Sequence, residues 1–208
     1  MGTMVACSHQ PVPCVLPGEC GRGFVCAIDH CTKAGTELTP ADTQRIVVNP
    51  TEMALVSSLG KASGLPNEIP LGRAPAGSFV LLLRFPVPWG NRVRIARAFL
   101  TLEPAPFAVP ESRPVLVSVA RVLDPWSASD VSWGRLPRLS PSEARAWAIT
   151  GPPRPLRIDV TAIVQRWARG RTDDQGIALS APADAPVGAT YATGAAGASG
   201  PRLDVYVR

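Results

Sequence analysis

Residues 156–181 read LRIDVTAIVQRWARGRTDDQGIALSA, and the order of elements in this stretch decides the fold. Leu156, Ile158 and Val160 alternate with Arg157 and Asp159, the period of two that puts apolar side chains on one face of a strand. Thr161 then supplies a capping side chain, and Ile163, Val164 and Trp167 recur at helical spacing on one face. Gly170 stops the helix, Asp173-Asp174-Gln175-Gly176 reads as a turn, and Gly176–Ser180 reads as the next strand. A strand that runs straight into one amphipathic helix and then into another strand is unusual in a sandwich.

Working outward, the chain from about residue 41 consists of short apolar stretches punctuated by Pro, Gly and Asn. Further strands are expected at Arg45–Val48, Ser78–Phe85, Val93–Leu102, Val115–Val122 and Arg202–Val207. Short strands with turn signals between them predict an antiparallel β-sandwich. In the last strand Leu203, Val205 and Val207 share one face and Asp204 and Tyr206 the other. Ala98, Leu100 and Leu102 alternate in the same way, but Val93 and Ile95 have the opposite parity, so a bulge near Ala96-Arg97 is needed to turn both sets inward. Val115, Leu116 and Val117 are consecutive, which predicts a strand covered on both faces. The 208 residues, 46% hydrophobic and 18% charged, suffice for one core plus a small appendage, and the 23 prolines and 18 glycines predict many turns.

The appendage is residues 1–40, ahead of a main domain at 41–208. All five cysteines and both histidines lie in the first 31 residues. From Cys14 the spacing is C-x5-C-x5-C-x4-C, in a segment with almost no core of its own, which predicts two disulfides among Cys14, Cys20, Cys26 and Cys31 in any of three connectivities. Zinc is the competing reading, but zinc ribbons favour C-x2-4-C pairs, so no metal is assigned; reduced structural thiols are the third. Met4-Val5-Ala6-Cys7 looks like the end of a bacterial lipoprotein signal, which would make Cys7 a lipid-anchor site, although the six residues before it lack the apolar stretch that such export uses. Otherwise Cys7 is a leftover thiol or forms an intermolecular disulfide. No apolar run approaches the ~18–20 residues that span a bilayer.

The stretch 156–181 resembles the helix-bearing segment of the bacterial DNRLRE domain, itself similar to the propeptide of TGF-β growth factors: D-V-T, an apolar pair, W, then G-apolar-x-L. Other stations follow in order. FVLLLRFPVP (79–88) resembles the early L-x-R-F strand, VRIARAFLTLEP (93–104) the next strand, WSASDVSWGRLP (126–137) the W…W motif through Trp126, Ser127, Val131, Ser132 and Trp133, and GPRLDVYV (200–207) the closing strand. The chain departs from the pattern between Glu52 and Gly77, and between Ala189 and Gly200, where a Gly-Ala run replaces a more polar loop. The cysteine spacing resembles short modules that precede domains in secreted proteins of soil bacteria. The resemblance implies a jelly-roll-like sandwich with one short helix, an extracellular or outer-membrane location, and a kinship with carbohydrate-binding modules attached to lyases of acidic polysaccharides such as alginate.

The residues themselves are compatible with that. Residues 41–208 carry 19 basic against 13 acidic side chains, and arginine forks pair bidentately with carboxylates. Candidate ligand-binding residues are Arg92, Arg94 and Arg97 on one strand, Arg154 and Arg157 on another, Arg166 and Arg169 around the helix (with Arg171 beside them), and Trp89 in a turn beside Gly90-Asn91. The bland alternative is a solvated arginine face in a protein whose only lysines are Lys33 and Lys61, and the same composition argues against nucleic acid despite a net charge of +5. Trp126, Trp133 and Trp167 are expected to pack the helix against the sheet; Trp147 is less determined. With no His or Cys after residue 31, Ser-His, Cys-His and His-ligated metal chemistry have no residues in the main domain. Asp124, Asp130, Asp159, Asp173 and Asp174 sit in turn or motif contexts, the last two at most contributing to a calcium site, so no catalytic residue and no cofactor are expected. The expected function is a non-catalytic binding module for an acidic polysaccharide; the alternative is a structural or adhesion surface protein that binds another protein.

Overall fold

A computed structural model describes residues 19–27, 30–33, 43–61, 68–74, 77–87, 93–105, 115–148, 155–170, 175–182, 185, 189–194 and 199–208. The chain divides into two compact units, Met1–Asp42 and Thr43–Arg208.

In the first unit β1 (Phe24–Ala27) and β2 (His30–Lys33) form an antiparallel hairpin, with Cys26 and Cys31 opposite one another. A disulfide joins Cys20 to Cys31 across a Cα–Cα distance of 5.5 Å. Cys7, Cys14 and the side chain of Cys26 lie outside the described residues.

The second unit is mostly β and antiparallel. The large sheet runs β11-β10-β13-β8-β4-β5, with β7 also pairing β8, where β4 is Glu52–Ser57, β5 Gly60–Lys61, β7 Arg73–Ala74, β8 Gly77–Arg84, β10 Val115–Arg121, β11 Ala144–Ala148 and β13 Ile177–Ser180. The small sheet runs β12-β9-β15-β3, where β3 is Gln44–Val48, β9 Ile95–Leu102, β12 Leu156–Asp159 and β15 Arg202–Val207. A two-stranded ribbon pairs β6 (Glu68–Leu71) with β14 (Ala189–Ala192). The last strand lies beside the first, and successive strands mostly change sheet, which is a jelly-roll-like path.

One buried cluster fills the space between the sheets. Leu81, Leu83, Val117, Val119, Ile177 and Leu179 come from the large sheet; Ala98, Leu100, Ile158, Leu203 and Val205 come from the small one. The bulge in β9 is where parity required it: Arg97 pairs Tyr206 and Ile95 pairs Val207, so Ala96 is the extra residue, and both Ile95 and Ala98 are buried.

The helix α1 (Thr161–Ala168) buries Ile163, Val164, Trp167 and Ala168 in the same cluster, and Gly170, at φ +70°, ends it. An isolated eight-residue helix is marginal in water, so this packing is what holds it. Its start differs from the expected cap. Thr161 is the first helical residue; the Asp159 carboxylate accepts the Thr161 N–H at 2.8 Å, and the Thr161 hydroxyl instead accepts the Ala98 N–H at 3.0 Å. Asp159, two residues ahead, reaches forward to the first helical N–H, and the Thr161 hydroxyl ties helix to sheet instead.

Coverage of both faces occurs on β4, β8 and β13 rather than at Val115–Val117. Ala54, Val56, Val80, Leu82 and Ala178 form a second cluster on the other side of the large sheet, closed by Val122, Trp126 and Val131. In β10 burial alternates, and Leu116 is only half-buried. Trp126 therefore packs on the opposite side of the sheet from the helix, with its Nε1–H donating to the Gln175 carbonyl at 2.9 Å and the Arg84 guanidinium 4.8 Å from its ring centre. Glu52 fastens the same loop by pairing with Arg84 at 2.5 Å and accepting the Ala128 N–H at 2.6 Å. Trp133 is 39% exposed, so of the three motif tryptophans only Trp167 packs the helix.

Candidate ligand-binding face

Because Leu100, Ile158, Leu203 and Val205 point into the core, the pleat sends their neighbours to the outer face of the small sheet. Three rows cross it in register. Arg157, Thr101 and Arg202 form one; Asp159, Phe99, Asp204 and Val47 the next; Arg97, Tyr206 and Arg45 the third.

The floor of this face is buried, and the arginines are laid across it. Phe99, Thr101, Asp204 and Tyr206 are buried, with Phe99 and Tyr206 edge to face, their ring centres 6.2 Å apart. The Arg157 guanidinium lies 4.1 Å from the Phe99 ring centre and donates to the Tyr206 hydroxyl at 3.0 Å, which holds its plane in one orientation. Asp204 accepts from the Thr101 hydroxyl at 2.7 Å and from Arg45 at 2.7 Å, with Arg202 3.5 Å away. Burial pushes the Asp204 carboxyl upward, but the hydrogen bonds from Thr101 and Arg45 and the charges of Arg45 and Arg202 outweigh it and hold it below its ordinary value. Arg97 approaches Asp159 at 3.7 Å, and Arg202 pairs with Glu103 at 2.7 Å. These arginines keep a part of their side chains in solvent: 28% for Arg45, 33% for Arg97 and 21% for Arg202.

Of the candidates expected from sequence, Arg97 and Arg157 come together on this face. Arg94 is exposed at its end, its backbone exchanging hydrogen bonds with Arg208 at 3.3 and 2.9 Å. Arg166 and Arg169 belong to the helix and its C-terminus instead, Arg166 standing 3.9 Å from Glu143. Arg92, Arg154 and Trp89 lie outside the described residues, as does the side chain of Trp147. Arg45 and Arg202 were missed. Each opens an apolar alternation, RIVV and RLDVYV, but that they share a face follows only from the strand order. Over residues 44–49, 93–103, 156–160 and 202–208 there are six arginines against Glu103, Asp159 and Asp204, a local excess of three positive charges.

At one end of the sandwich the face continues into an open groove of about 800 Å³ between the turn at Asn49–Thr51 and the segment around Thr193 and Ser199–Arg202. Val47 and Arg202 belong both to the groove and to the face. Among the described residues no three His, Cys, Asp or Glu side chains stand together as a metal site, and no helix is long and apolar enough to cross a membrane. No family model and no curated protein matches this chain.

Proposed function

We propose that this chain is a non-catalytic extracellular or cell-surface binding module whose ligand is an acidic polysaccharide, held on the outer face of the small sheet. The observation that carries the reading is the set of guanidinium groups on that face, in local charge excess and held in place by stacking and hydrogen bonds before any ligand arrives. Prior ordering lowers the entropy lost on binding. A uronate carboxylate can pair bidentately with a guanidinium, using both of its oxygens, whereas Arg45 engages a single oxygen of Asp204. Partly exposed pairs such as Arg97–Asp159 are worth only about 0–1 kcal/mol, so exchanging Asp159 for a ligand carboxylate costs little.

The resemblance to DNRLRE domains and the cysteine-rich head support the same assignment to the outside of the cell. The alternative of a protein-binding adhesion surface calls for a contiguous apolar patch. Among the described residues of the sandwich the exposed large apolar side chains are Val47, Leu59, Val87 and Trp133, one on each of four segments, whereas the arginines of the small sheet share one face, which favours the polysaccharide.

Affinity electrophoresis of the full chain in gels cast with alginate, polygalacturonate or dextran is the test. The reading expects retardation by the two uronate polymers and none by dextran. Free migration in all three gels would remove it.

A further inference from the structure

The groove beside Arg202 differs in chemistry from the face it adjoins. Its charged groups are already satisfied within the protein: Glu103 by Arg202 at 2.7 Å, and Glu52 by Arg84 at 2.5 Å and the Ala128 N–H at 2.6 Å. A ligand carboxylate entering here would face two carboxylates, and a cation would have to draw away carboxylates that are in use. What remains is uncharged. Asn49 and Ser199 supply amide and hydroxyl groups, Thr51, whose hydroxyl donates to the Arg84 carbonyl at 3.3 Å, keeps its oxygen as an acceptor, and Val47, Pro50, Met53 and Pro201 supply apolar surface. Val47 is 50% exposed, an apolar contact left open at the mouth.

A pyranose ring has this same division, with C–H groups on its faces and hydroxyls around its rim. The volume of about 800 Å³ falls within the ~300–1,000 Å³ usual for small-ligand sites. We propose that the groove is a subsite for a neutral sugar unit, continuous through Val47 and Arg202 with the arginine face. The polymer recognised would then carry neutral units as well as uronates, with a neutral unit seated in the groove while its uronates cross the sheet. This extends the polysaccharide reading and rests on it, but the two have separate readouts.

The experiment is an NMR titration of the full chain with three probes: a hyaluronan hexasaccharide, in which uronate and neutral units alternate; a hexagalacturonate; and cellohexaose, which is wholly neutral. The backbone amides of Asn49, Thr51 and Ser199 report the groove, and the Nε–H groups of Arg97 and Arg157 report the face. The expected result is that hyaluronan shifts both sets, whereas hexagalacturonate shifts only the arginines. Ser199→Trp, at an exposed position, should abolish the groove shifts, keep the arginine shifts, and weaken hyaluronan binding by about tenfold. Groove amides that stay unmoved by hyaluronan and cellohexaose, while the arginines respond, would overturn the subsite and leave the acidic-polymer reading intact. Groove shifts with cellohexaose and silent arginines throughout would uphold the subsite and overturn that reading instead. Silence at both sets with all three probes overturns both.

Discussion

Asp204 is a carboxylate buried on a sheet face, with its oxygens divided between the Thr101 hydroxyl and the Arg45 guanidinium. Replacing it with Asn keeps the shape but removes the negative charge that Arg45 and Arg202 face, so unfolding in urea should show a loss of about 1–3 kcal/mol. The lowered carboxyl also fixes the sign of a pH effect. The native state binds the Asp204 proton less readily than the unfolded chain, so its contribution is complete above the ordinary aspartate range and disappears as pH falls through the lowered native value. Stability of the wild type should therefore fall on acidification below about pH 4, and Asp204→Asn should flatten that limb; equal slopes in the two proteins would contradict the assignment. Arg157 can be examined the same way. Arg157→Lys retains the charge but loses the planar stack on Phe99 and the oriented bond to Tyr206, so uronate binding should weaken several-fold while net charge is unchanged.

At the scale of elements, the joint between loop and sheet at Gly176 is the most constrained. Gly176 has φ +126°, and a Cβ there would collide with the Leu83 carbonyl oxygen on the neighbouring strand. Gly176→Ala should cost about 2–4 kcal/mol in denaturant unfolding, and a loss under about 0.5 kcal/mol would show that the approach is looser than described. The elements that sequence made legible are those with a clean local period. The alternation of RLDVYV marks β15 at Arg202–Val207, the spacing of Ile163, Val164 and Trp167 marks the inward face of α1, and the parity clash between Ile95 and Ala98 requires the β9 bulge. β4 escaped notice because Met53-Ala54-Leu55 favours helix and burial on both faces erases the period of two. β11 and β14 are rich in alanine, which carries little strand signal. The candidate face was half legible for a related reason. Arg97 and Arg157 stand out within their own strands, but bringing Arg45 beside them depends on pairing 159 residues apart in sequence, between β3 and β15.

The whole molecule joins a small cross-linked unit to a sandwich that carries the basic face. Cys20–Cys31 closes a short loop in a segment without a core, a constraint worth about 2–4 kcal/mol to such a unit. If the head holds two bridges, this one leaves Cys14 to Cys26, and peptide mapping of the non-reduced chain should return that pair; a Cys7-containing bridge would contradict it. The proposed polysaccharide ligand belongs to this scale too, because several strands together make the field that an acidic polymer would meet.

The central claim, that the arginines of the small sheet form a binding surface rather than a solvated one, is tested most directly by measuring equilibrium binding to alginate at low and high salt. The wild type and an Arg94→Ala/Arg97→Ala variant would be compared, with thermal unfolding of both recorded alongside. The account predicts binding that falls as salt rises, and a variant weakened by about tenfold at an unchanged unfolding midpoint. Binding indifferent to salt, or a variant that binds as the wild type does, would contradict it.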